Sequence, residues 1–72
     1  LLLVHKPQGH SEAPHRHDYD QTLRVLRGRL VVRFANSEAI LDAASAPLRI
    51  PRNTEHATRA AEATWLVVER GC

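Results

Sequence analysis

Residues 9–28 read GHSEAPHRHDYDQTLRVLRG, and their pattern decides the fold. His15 and His17 stand two apart, and Gln21 follows four residues later. Alternate residues of an extended strand share a face, so this spacing predicts that the two imidazoles point the same way. Two imidazoles beside an oxygen donor make half of a metal site. A further ligand must come from elsewhere, and the best candidate is His56, in the segment 50–58, IPRNTEHAT.

The second half of the stretch sets the secondary structure. Thr22–Leu26 and Leu30–Phe34 flank Arg27-Gly28. Leu23 and Val25 alternate with Arg24, and Leu30, Val32 and Phe34 alternate with Val31 and Arg33. This period-2 pattern predicts two β-strands, joined by a tight hairpin turn for which Gly28 supplies the positive φ. Gln21 has the parity of Leu23 and Val25, so it is predicted to turn inward with them. Asp18, Tyr19 and Asp20 form a polar corner before the first of these strands. Asp20 is a rival to Gln21 as the oxygen donor.

Further out, Leu1–His5 reads as a first strand, and Lys6–Gly9 as a turn. Ser11–Pro14 reads as irregular and His15–His17 as a short extended piece. Asn36-Ser37 is a turn, Glu38–Leu41 a short strand, and Asp42–Pro47 either one helical turn or a loop. Leu48–Ile50 is a strand stopped by Pro51, and Asn53 suits a left-handed turn position. His56–Arg59 is extended, Ala60–Ala63 connects, and Trp65–Glu69 is a final buried strand with Trp65 in the core. Short strands separated by frequent turns predict an all-β fold, a small antiparallel β-barrel or jelly roll, with residues 1–72 as a single domain.

Composition narrows the function classes. The chain has 72 residues and a net charge of +2. Arg24, Arg27, Arg29, Arg33, Arg49 and Arg52 concentrate in its central half, but arginine at alternate strand positions also makes the solvent face of a half-buried sheet. The three aromatic residues do not interleave with them as stacking platforms would, so nucleic acid is disfavoured as a partner. The LLLV start is too short to span a membrane. The single cysteine, Cys72, excludes an internal disulfide and fits a cytoplasmic setting. A domain this small leaves sheet edges and Leu1–Val4 uncovered, which predicts a homodimer.

The same residues resemble the first motif of the cupins: Gly9, five residues, His15-Arg16-His17, three residues, Gln21, six residues, Gly28. Gln21 stands where that family usually has Glu. Ser45–Ala60 resembles the second cupin motif, with Pro51 and His56 at the right spacing and Ser45, Asn53 and Ala60 departing from it. The resemblance is to small single-domain, RmlC-like cupins with a conserved β-barrel. It implies a metal site of His15, His17, Gln21 and His56. A His, His, Gln, His set is similar to that of small cupins of sugar-acid metabolism, the pectin-degradation type acting on unsaturated uronates.

Three neutral imidazoles and one oxygen suit a divalent transition metal such as Fe, Mn, Ni, Cu or Zn. With Gln21 in place of Glu, the complex keeps its full dipositive charge, binds more weakly, and favours anionic small-molecule ligands. Three functional readings follow. One is a metal-dependent enzyme acting on a small sugar-acid-like or carboxylate substrate by Lewis-acid isomerase or lyase chemistry, or by dioxygenation. The second is a ligand-sensing module, similar to the cupin-type domains of AraC-type regulators. The third is a degenerate, metal-free cupin. No general base is evident in the sequence, which weighs against the first. The bland alternatives are a hydrogen-bonded core role for His56 and a cross-barrel hydrogen bond for Gln21. His5 reads as structural, His10 as a residue near the barrel mouth, Tyr19 as rim, and Glu69 as solvent-facing.

Overall fold

The computed structural model describes residues 1–71; Cys72, with the disulfide reading attached to it, lies outside the described residues. Eight strands follow in order: β1 (Leu2–Lys6), β2 (Ser11–His15), β3 (Gln21–Arg27), β4 (Leu30–Arg33), β5 (Glu38–Leu41), β6 (Leu48–Ile50), β7 (His56–Ala60) and β8 (Thr64–Arg70). They form two four-stranded antiparallel sheets, in the orders β1-β8-β3-β6 and β2-β7-β4-β5. This is the expected all-β, jelly-roll-like fold. Among the described residues no helix is long and apolar enough to cross a membrane.

The core lies between the sheets. Leu23 and Val25 of β3, Leu30 and Val32 of β4, Leu41 of β5, Ile50 of β6 and Leu66 of β8 form one buried cluster. Their spacing along β3 and β4 is the period-2 pattern of the sequence, although on β4 the intervening Val31 is buried as well. The arginines between them are exposed, and Arg33 pairs with Glu38 across β4 and β5.

Three expectations are corrected. β3 and β4 do not form a hairpin: they belong to different sheets, and Gly28 carries the chain from one to the other. Gly28 has φ +96°, and a Cβ there would lie 2.2 Å from the Ala63 carbonyl oxygen. It is needed both for backbone conformation and for the close approach of the turn before β8. Thr64, fully buried, braces that crossing: its Oγ1 accepts from the Arg29 amide at 3.2 Å and donates to the Glu62 carbonyl at 2.8 Å.

Ser11–Pro14, read as irregular, is most of β2. Pro14 is tolerated because β2 is an edge strand.

Trp65, read as core, faces outward. It is half-buried, stacked on His5 at 4.5 Å between ring centroids, with the Arg27 guanidinium 5.4 Å from its centroid. The inward residues of β8 are Thr64, Leu66 and Val68. His5 therefore has the structural role assigned to it, on the outer face. Asp42–Pro47 is a turn, closed by Asp42 Oδ1 accepting from the Ala44 amide at 2.9 Å.

Candidate metal and ligand site

His15 is the last residue of β2 and lies directly across from His56, the first residue of β7. Their ring centroids are 4.5 Å apart. His17 follows just beyond the end of β2, 4.8 Å from the His15 ring and 5.5 Å from that of His56. A turn holds it there. Asn53, with φ +62°, donates its backbone N–H to the His17 carbonyl at 2.7 Å. Asn53 thus has the left-handed conformation read from the sequence, and it ties the segment before His56 to the segment after His15.

The three imidazoles each present a ring nitrogen within 4.8 Å of the others. The His15 Nδ1 lies 2.7 Å from the Ala13 carbonyl oxygen, and the His56 Nδ1 lies 2.9 Å from that of Thr54. A carbonyl only accepts, so each Nδ1 is the donor, and in the neutral ring that leaves the Nε2 lone pair for a metal. This is how metal-binding histidines are oriented by their neighbours. Burial, reinforced by the neighbouring His15 and His56, holds His17 below the ordinary imidazole pKa, which keeps it neutral. The donor set, tautomers and protonation all fit a divalent transition metal.

These histidines edge a cavity of about 500 Å³ between the sheets, and Gln21 lines it with them. Gln21 is half-buried at the start of β3, across from Ile50 on one side and Arg70 on the other, with the inward parity of Leu23 and Val25. Asp20, its rival, is turned away. The Asp20 carboxylate accepts from the Arg52 backbone N–H at 2.9 Å and from the Arg49 guanidinium at 2.8 Å, and these bonds hold its pKa below the usual carboxylate range. His10 is also corrected. It precedes β2, with its carbonyl accepting from the Ala60 amide, at the far end of the strand from His15.

Tyr19, read as rim, lines the cavity and stacks on His17 at 4.8 Å. The structure also adds residues that sequence reasoning missed. The Arg70 guanidinium lies 4.1 Å over the Tyr19 ring and lines the same cavity. The parity of Arg70 with Leu66 and Val68 was a usable signal for this. Lys6, Glu12 and Thr58 also line the cavity, with Glu12 and Thr58 further along β2 and β7 from the His15–His56 pair. Lys6 Nζ donates to Glu12 Oε1 at 2.7 Å, and Thr58 Oγ1 donates to the same oxygen at 3.0 Å. The hydrogen bond from Lys6 outweighs burial and holds the Glu12 carboxyl below its ordinary range, with the Lys6 charge, Thr58 and His15 adding to it.

A two-sheet sandwich with a cluster of histidines at the mouth of an internal cavity is the architecture of a cupin. The family model described as "Cupin domain" matches residues 2–69, and the chain belongs to that family. No curated protein matches the chain. Among solved structures, a cupin-2 domain containing protein from Shewanella frigidimarina is similar at 27% identity and TM-score 0.79, over 94% of this chain and 66% of the other. TT1209 from Thermus thermophilus is 28% identical with TM-score 0.79, over 96% of this chain and 68% of that one. KdgF from a Halomonas species shares the fold at 22% identity and TM-score 0.80, over 97% and 67%. The chain thus spans about two thirds of the length of these relatives.

Proposed function

We propose that this cupin domain binds a divalent transition metal through His15, His17 and His56, with Gln21 as a neutral oxygen donor, and acts on a small oxygenated ligand in the cavity. The free Nε2 atoms of His15 and His56, oriented by the Ala13 and Thr54 carbonyls, are the observation that carries this reading. The bound metal supplies Lewis-acid polarisation of a ligand oxygen, the chemistry of an isomerase or lyase step on a sugar-acid-like or carboxylate substrate. Arg70 adds a second positive group at the same mouth, stacked on Tyr19. A guanidinium there favours a carboxylate or enolate end on the ligand.

A second reading, binding or sensing without turnover, is favoured by Glu12. It is the carboxylate that lines the cavity among the described residues, and its lowered pKa makes it a weak base.

Equilibrium dialysis against zinc tests the metal site. The chain is expected to take up close to one zinc, and a His15→Ala, His56→Ala double variant to lose at least tenfold in affinity. Equal uptake by both would overturn the ligand assignment.

We further propose that the chain pairs as a homodimer, in a cytoplasmic setting suggested by its single cysteine. The support for pairing is the edge strand β1 with the residue before it: Leu1, Leu2 and Leu3 are 90%, 62% and 65% exposed. Light scattering should give twice the chain mass, and a monomer mass at all concentrations would refute it.

A further inference from the structure

We propose that Lys6, Glu12 and Thr58 form a hydroxyl-binding subsite in the cavity wall, selecting a small acid that carries vicinal hydroxyl groups away from its anionic end. The proposal rests on the reading of the histidine and Arg70 mouth as the place where that anionic end binds.

The subsite is built from three strands, two consecutive and one distant in sequence. Lys6 ends β1, Glu12 lies near the start of β2, and Thr58 is in the middle of β7. Glu12 and Thr58 are register partners across β2 and β7. Lys6 is only 9% exposed, yet it lines the cavity. Both protein hydrogen bonds to Glu12 fall on Oε1, so Oε2 has no protein donor among the described residues. The Glu12 side chain is 44% exposed and lines the cavity. Lys6 commits one of its three N–H groups to Glu12.

An acceptor and a donor side by side match what a hydroxyl group offers, since each hydroxyl both donates and accepts. The surrounding wall is apolar, with Leu23, Leu30 and Leu66 lining the same space. In such surroundings an unmatched ligand hydroxyl is penalised, and the ion pair provides its match. Clasping the edge strands β1 and β2 is the alternative role of the pair. A clasp accounts for the Lys6–Glu12 bond but not for Thr58 of β7 donating to the same carboxylate oxygen.

Isothermal titration of the zinc-loaded chain with gluconate and with hexanoate, which lacks the hydroxyls, is the test. Zinc content is measured throughout, and a chain that takes up no zinc is titrated metal-free. Gluconate is expected to bind at least tenfold tighter than hexanoate. Glu12→Gln should bring the two affinities within twofold while leaving hexanoate binding and zinc content unchanged. Thr58→Val should narrow the gap partway, and serves if Glu12→Gln does not fold. Equal binding of the two acids by the wild-type chain, binding of neither, or a preference untouched by the variants would overturn the subsite. So would an equal loss of both acids in Glu12→Gln accompanied by a lower melting temperature, the signature of a clasp. Loss of zinc binding with the gluconate preference intact would instead refute the metal reading alone.

Discussion

Glu12 and His15 face the same cavity although they are three residues apart on one strand. Their partners on β7, Thr58 and His56, are two apart, so β2 carries one extra residue between Glu12 and His15. This is a β-bulge, and it resets the alternation of the strand. Without it, Glu12 and His15 would point to opposite faces, and the carboxylate would be on the outside of the sheet. The bulge puts the ion pair and the histidines into one space.

The crossing at Gly28 is expected to be the most sensitive backbone position. An added methyl group meets both an unfavourable φ and the Ala63 carbonyl. Gly28→Ala should destabilise by about 3 kcal/mol or more, from strain and overpacking together. Gly9 has φ +85° but nothing within 4 Å of an added Cβ, so Gly9→Ala should cost only about 1 kcal/mol. Urea unfolding of the two variants checks the contrast.

On β8, Leu66→Ala should destabilise by about 2–5 kcal/mol, because Leu66 is 1% exposed in the central cluster. Trp65→Ala, on the outer face, should be milder, losing the stacking on His5 and the Arg27 contact. Urea midpoints in the reverse order would mean that the two faces of β8 are assigned the wrong way round.

The first motif was legible because its chemistry sits at fixed short spacing. His15, His17, Gln21 and Gly28 needed only local reading, as did the left-handed turn at Asn53. What stayed hidden depends on partners distant in sequence. In Trp65–Val68 both faces are apolar, and only Glu69, sharing the parity of Trp65, marked that face as the outer one; the sheet pairing confirms it. Gly28 was read as a hairpin residue because a positive φ looks the same in a hairpin and in a crossing between sheets. Glu12 was invisible because a bulge leaves no mark on alternation. The site was thus legible in its histidines and obscure in the rest of its wall.

Gln21→Glu should tighten zinc binding by about tenfold or more, because an ionised carboxylate adds charge attraction that the amide lacks. Gln21→Ala should weaken it by less than the loss of any one histidine. Competition against a chelating dye measures both. Unchanged affinity in Gln21→Glu would place the position 21 side chain outside the metal's reach, despite its lining the cavity.

His17 prefers its neutral form in the folded chain. The stability this gives is fully present above the ordinary imidazole value of 6.5 and is lost as pH falls through the lowered folded value. Urea midpoints of the metal-free chain should therefore drop as pH falls below the ordinary value of 6.5, and His17→Asn should flatten that drop. Zinc should dissociate over the same range, since protons compete for the same ring nitrogens. A midpoint that rises on acidification would contradict the direction assigned to His17.

X-ray absorption of the zinc-loaded chain tests the central claim most directly. The account predicts a first shell with three imidazole nitrogens at about 2.0–2.1 Å together with oxygen, and the loss of one imidazole in His17→Ala. A shell of oxygens alone, or a spectrum indifferent to the loss of His17, would contradict it.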